Sequence, residues 1–239
     1  MKLTKNQKRA VHFKKGNALI NAGSGSGKTA VITARIANLI ANEKVKPEEI
    51  LALTFTREAT DNMRGRLGGM VGKGKASAVE ISTFHSFAYR IMKNTFPEMY
   101  IGKQMIQGWW KMSTLYDIVS PKGKNNDIGL DIGIRAGELG SFVSYQKANM
   151  IVGGMPVLID DNTLYVQDIE RQTLQKAFDT YCEYVKNARL IEFDDMLVDF
   201  YYKLKNDKKF RKRISNRYKY VLVDEFQDTN SIKDRKSVV

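Results

Sequence analysis

Seven residues near the amino end, Gly23-Ser24-Gly25-Ser26-Gly27-Lys28-Thr29, have the composition of a phosphate cradle. A polyphosphate needs backbone N–H groups turned towards it, and glycine removes the side chains that would block its approach. A helix start adds unpaired N–H groups and the positive end of a dipole. In the pattern G-x-x-x-x-G-K-[ST], Gly27, Lys28 and Thr29 fill the last three places, while Ala22 stands where the first glycine is usual. Alanine is the smallest replacement and is tolerable if that residue ends a strand in ordinary β conformation. Lys28 would reach the β- and γ-phosphates, and Thr29 would place its hydroxyl on Mg²⁺.

Such a loop needs carboxylates from a neighbouring strand to hold the metal and orient water. "VLVDEFQDTN" (221–230) supplies them. Its apolar run would bring Asp224 to the carboxyl end of a strand, where ligands bind in open α/β sheets. Asp224 is then the metal ligand and Glu225 the general base for the attacking water. A second acidic group, "EFDDML" (192–197), lies in an amphipathic stretch and reads as a structural or docking element.

These residues need a sheet to position them. "NALINA" (17–22), "ILALTFT" (50–56), "VEIST" (79–83) and "YKYVLVD" (218–224) are the strand candidates. The first is followed by Ile32, Ile36, Leu39 and Ile40 at helical spacing. Short apolar runs that alternate with helical patterns predict a parallel sheet covered on both faces. Residues 91–189 lack that alternation and read as a mostly helical insertion. The expected division is therefore 1–90 and 190–239 for the α/β domain, with 91–189 inserted.

The chain has 239 residues and a net charge of +13, which suits a polyanionic partner. One cysteine excludes an intrachain disulfide framework and fits a reducing cytoplasm; with only two histidines beside it, the composition argues against a Cys/His zinc site. "MKLTKNQKR" carries no apolar run, so no signal peptide is expected, and no stretch reaches the roughly 18 apolar residues of a spanning helix.

With both motifs in view, the chain resembles the amino-terminal part of UvrD/Rep-type superfamily 1 DNA helicases. "AGSGSGKT" is similar to that family's own loop, alanine included. "LTKNQKRAV" resembles its Q motif, "LTFTREATDNMRGRL" its motif Ia and "ISTFHSFAYRI" its motif Ib. "IEFDDML" and "RYKYVLVDEFQDTN" follow in the family's order. The resemblance implies a P-loop NTPase of RecA-like α/β fold with a helical insertion. It also implies ATP and Mg²⁺ as cofactors and a motor moving on single-stranded DNA, typically 3′ to 5′. On that resemblance Gln7 reads the adenine edge, and Arg35 and Gln227 lie at the nucleotide with Ala22 and residues 23–29. Single-stranded DNA falls to Thr54, Phe55, Thr56 and Arg57, and to Thr83, Phe84 and His85. Phe55 would stack on a base, and Thr56 and Arg57 would meet phosphates. Other DNA-processing proteins are the further partners it implies.

Two departures stand out. Glu58 replaces the family's lysine in motif Ia. The family's later motifs, including an arginine that contacts the γ-phosphate from a second RecA-like domain, are not in this chain, so a front portion with little activity alone is expected. "DKKFRKRISNRYK" (207–219), with seven basic residues, reads as a solvated helix face, with a DNA track as the other reading. Outside this family the loop would also suit a nucleotide kinase, or a DNA-binding remnant without enzymatic activity.

Overall fold

A computed structural model describes residues 3–14, 16–23, 25–120 and 128–226. Ser24 and Gln227 lie outside the described residues. Along the chain run helices α1 (Lys5–Val11) and α2 (Lys28–Ala41), strand β1 (Ile50–Thr54), α3 (Arg57–Val71), α4 (Lys73–Ala78), β2 (Glu80–Thr83) and α5 (Phe84–Thr95). Strand β3 (Gln104–Met105), α6 (Gly108–Val119), α7 (Ala136–Ala148), α8 (Arg171–Asn187), β4 (Leu190–Ile191), α9 (Asp195–Asn206), α10 (Lys208–Arg217) and β5 (Tyr220–Val223) follow. The chain packs as two units. One takes the residues up to Phe87 and resumes at Asn206; the other is Ala88–Lys205.

The first unit is built on a parallel sheet ordered β2-β1-β5. Ala52 sits opposite both Ile81 and Leu222. β1 is buried along its whole length, which is why its sequence is a continuous apolar run rather than an alternating one. Ile36 and Leu39 of α2, with Met63 and Leu67 of α3, pack on Ile50, Ala52 and Ile81. α3 starts cleanly because the Thr56 hydroxyl accepts the Ala59 N–H at 3.1 Å. These strands lie where the apolar runs predict them, and the fold is an α/β sheet flanked by helices.

The expected strand over 17–22 is corrected. No strand forms there, and Leu19 and Ile20 are 78% and 46% exposed. A parallel strand is stabilised by an edge to pair with and by cover on both faces. Among the described residues nothing pairs with the outer edge of β5, whose Val221 is itself 46% exposed. The apolar run therefore has neither.

The second unit is helical around one core. Leu115 and Ile118 of α6, Phe142 and Val143 of α7, and Phe178 and Tyr181 of α8 form its centre. The short β3–β4 pair, Gln104 opposite Leu190, ties the stretch before α6 to the one after α8. Residues 190–205 pack with this unit, because Leu190 joins the same core. Cys182, half-buried here, has its thiol pushed up to about 12 by burial. No helix among the described residues is long and apolar enough to cross a membrane.

Candidate nucleotide site

The site is made where α2 begins and β5 ends. Gly27 caps α2 with φ +83°, and Gly25 sits at φ +72°. Side chains disfavour that left-handed region, so glycine is required at both turns. A Cβ on Gly27 would also stand 3.4 Å from the Gln7 amide nitrogen. Gln7 holds the loop from α1. Its Nε2 donates to the Ser26 carbonyl at 2.9 Å, while its Oε1 accepts the Thr4 N–H at 2.9 Å in a capping box.

The loop and the acidic strand end meet. Thr29 Oγ1 donates to Asp224 Oδ2 at 2.8 Å across 195 residues of chain. The Lys28 ammonium lies 3.5 Å from Glu225 Oε2 and 3.5 Å from the Ala22 carbonyl. Asp224 is 3% exposed, and its N–H donates to the Leu53 carbonyl at 2.9 Å, continuing the β1–β5 ladder past the strand. The Glu225 N–H turns back to Asp224 Oδ1 at 3.1 Å, and Glu225 itself adopts φ +49°. A non-glycine residue in that region is strained, and such strain gathers at functional sites. Gly23 and Gly25 remain exposed. Thr29 and Asp224 provide hard oxygen donors of the kind Mg²⁺ takes. That ion needs one or two carboxylates with phosphate and water rather than a full protein cage. No group of three or more His, Cys, Asp or Glu side chains arranged to hold a metal ion occurs among the described residues.

Arg35 is bonded to α1 rather than to the glycine loop. Its Nη1 donates to the Val11 carbonyl at 3.0 Å and pairs with Glu43, which also accepts from Asn38 at 2.8 Å. It fastens the far end of α1 to α2 and is not joined to Lys28.

The strand-end residues divide into two groups. Thr54 is fully buried, its hydroxyl shared with Thr60 at 2.7 Å and donated to the Thr56 carbonyl at 3.1 Å. Thr83 is 8% exposed and donates to Ser86 Oγ at 2.9 Å. Phe84 is buried with its ring edge-on to Phe55, 5.5 Å between centroids. His85 is half-buried on α5. Phe55 is half-buried, and Thr56 and Arg57 are exposed. Glu58 is exposed in the first turn of α3, where a carboxylate complements the helix dipole.

The second acidic motif does different work. Glu192 is 3% exposed, accepts from the Tyr181 hydroxyl at 2.8 Å and pairs with Lys147 and, at 2.5 Å, with Lys111. Asp195 meets Lys147 at 2.7 Å and accepts the Glu192 N–H at 2.8 Å. Sequence reasoning missed Lys111, Lys147 and Tyr181. The available signal was a lysine on the buried face of α7.

A glycine turn capping a helix, closed by a carboxylate at the end of an adjoining parallel strand, defines an α/β domain of the P-loop NTPase class. The model of the UvrD/REP helicase N-terminal domain matches residues 3–235, and the chain belongs to that family. It is 33% identical over 233 residues to the ATP-dependent DNA helicase UvrD1 of Mycobacterium bovis, covering 95% of this chain and 29% of that protein. The probable DNA helicase II homolog of Mycoplasma genitalium is 31% identical, with 97% of this chain and 32% of that protein covered. The ATP-dependent DNA helicase Rep of Escherichia coli is 29% identical, with 97% and 33% covered. The chain thus spans about a third of the length of these relatives.

Proposed function

We propose that this chain is the ATP-binding front portion of an ATP-dependent DNA helicase that moves 3′ to 5′ on single-stranded DNA. The observation that carries it is the joining of Lys28 and Thr29 to Asp224 and Glu225. The relatives' names supply the reaction class, and the sheet unit supplies a RecA-like frame interrupted by the helical unit.

In this reading Lys28 leaves Glu225 and the Ala22 carbonyl for the β- and γ-phosphates of ATP. Thr29 and Asp224 hold Mg²⁺, which neutralises phosphate charge when bound. Glu225, freed from Lys28, accepts the proton of the attacking water. Gln7 holds the loop through Ser26 and reads the adenine edge, and Gln227 is the further nucleotide contact that the family resemblance implies. Of the strand-end residues, Phe55, Thr56 and Arg57 meet the DNA strand first. Thr54 braces Thr56 and Phe84 braces Phe55, while Thr83, bonded to Ser86, and His85 at the start of α5 are the second set of DNA contacts. An arginine finger is worth about 10³–10⁵ in turnover in P-loop NTPases, so full turnover in this reading calls for an arginine brought to the γ-phosphate.

Titration with a fluorescent ATP analogue tests the proposal. Binding should require Mg²⁺, weaken about 10- to 100-fold in Lys28→Ala, as expected for losing a hydrogen bond to a charged group, and respond to single-stranded DNA. Mg²⁺-dependent binding that DNA does not alter would point to a P-loop kinase. No binding at all would leave a DNA-binding remnant.

A further inference from the structure

Helix α10 carries more positive charge than its place in the sheet unit requires. Across 207–219, seven basic residues stand against one acid, Asp207, a surplus of six in a chain whose whole excess is +13. Packing uses the opposite side of the helix, where Phe210 and Ile214 are 3% and 4% exposed. Helical spacing turns Lys208, Lys209 and Lys212 away from that side, and all three are exposed. Arg213 lies over the Phe210 ring, 5.3 Å from its centroid, and borders the same face; Arg217, at the end of the helix, lies over the Tyr218 ring at 5.2 Å.

The placement costs the helix stability. Cations in a first turn oppose the dipole, and like charges one turn apart, as in Lys208–Lys212 and Lys209–Arg213, repel. α10 has no acid in its first turn; Asp207, its cap, accepts the Phe210 N–H at 2.9 Å. Lys219 pairs with Glu49 at 2.6 Å, but Lys208, Lys209 and Lys212 make no ion pair among the described residues. A local rule broken without compensation inside the fold marks a demand from outside it.

We propose that the exposed face of α10 is a nucleic-acid backbone contact, separate from Phe55, Thr56 and Arg57, that reads phosphate charge rather than sequence. Lys208 and Lys212 are about 6 Å apart along the helix axis, a span of about two phosphates of one strand. An anionic membrane is the other common polyanion, but helices that bind one keep apolar side chains to insert, and those of α10 are inside. The contact stands whether or not the glycine loop binds ATP.

The test is the combined variant Lys208→Gln, Lys209→Gln, Lys212→Gln, read by fluorescence anisotropy with a labelled 20-nucleotide single strand and a 20-base-pair duplex across a salt series. Affinity at low salt should fall about tenfold or more, and the slope of log K against log salt should shrink by about 2–3. Nucleotide-analogue binding should not change, which separates this result from failure of the ATP site. The thermal midpoint should hold or rise, since repulsion is relieved. The control variant Lys46→Gln, Lys73→Gln, Lys75→Gln removes the same charge from other exposed positions of the sheet unit and should retain affinity. Equal loss in both variants would reduce the effect to bulk charge and overturn the proposal. So would unchanged affinity in the first variant, or loss of binding to phosphatidylserine vesicles alone.

Discussion

Lys28 and Lys147 each meet a carboxylate, and the two regions hold them differently. In the sheet unit the Lys28 side chain is 22% exposed and touches Glu225 and a carbonyl only at 3.5 Å. In the helical unit Lys147 is 5% exposed, bridges Glu192 and Asp195, and lies 5.6 Å from the Tyr181 ring centre. A cation that is to change partners must be held weakly and within reach of water. A cation that fastens α7 to the β4–α9 corner must be enclosed, because ion pairing in a dry site is strong but desolvation is costly if either partner is lost. Similar residue types thus make a long, partly exposed contact in one unit and an enclosed one in the other.

The largest effect expected from this contrast follows Lys147→Met. Removing one member of a buried pair leaves the other charge under-compensated, at up to about 3–5 kcal/mol, even though Lys111 still reaches Glu192. The thermal midpoint of the helical unit, followed by circular dichroism, should fall by on the order of 10 °C. Adding Glu192→Gln should restore part of the loss by removing a buried charge left with Lys111 as its one cationic partner. A midpoint unchanged in Lys147→Met would break the comparison.

The pH dependence comes next. Burial pushes Lys147 towards its neutral form, but Asp195 and then Glu192 outweigh it and hold the ammonium above the usual lysine range. Burial likewise raises Glu192, and Lys147 and Lys111 outweigh it, so its carboxyl sits below the usual range. The Lys147 contribution is complete below about pH 10.4 and is lost as pH rises through its folded value. The Glu192 contribution is complete above about pH 4.3 and is lost as pH falls through its folded value. Asp199 works the other way. Burial and then Asp195 raise it, so protonation in mild acid favours the folded form there. Urea unfolding across pH should show loss at both extremes, and Lys147→Met should flatten both limbs.

The sheet was legible where the physics is local. "ILALTFT", "VEIST" and "YKYVLVD" became β1, β2 and β5 because strands inside a parallel sheet need apolar side chains along their length. "NALINA" has the same composition but no strand, since composition does not say whether a partner edge exists. Glycine at 25 and 27 was legible because two left-handed turns leave no other choice. Thr54 and Thr83 show the opposite case. A hydroxyl at a strand end looks alike in sequence whether it faces a ligand or is spent on Thr60 or Ser86. Arg35 meets Glu43, eight residues on, and the Val11 carbonyl, partners that the sequence pattern alone does not announce. The Lys147–Glu192 pair joins positions 45 apart, and no periodicity relates them.

The smallest stability effect belongs to Lys28→Met, and it sharpens the comparison most. The Lys28–Glu225 contact is long, and the two side chains are 22% and 39% exposed. Pairs so placed contribute roughly 0–1 kcal/mol, because solvent screens the attraction and ordering two long side chains costs entropy. Methionine keeps the helix propensity and most of the stem at the first position of α2. The midpoint should therefore move by no more than about 3 °C, while nucleotide-analogue affinity should fall as in Lys28→Ala. Had Lys28 been a structural latch like Lys147, stability and affinity would fall together. A midpoint drop as large as that of Lys147→Met would show that the glycine-turn lysine is fixed rather than exchangeable, and the proposed transfer of Lys28 from Glu225 to phosphate would fail with it.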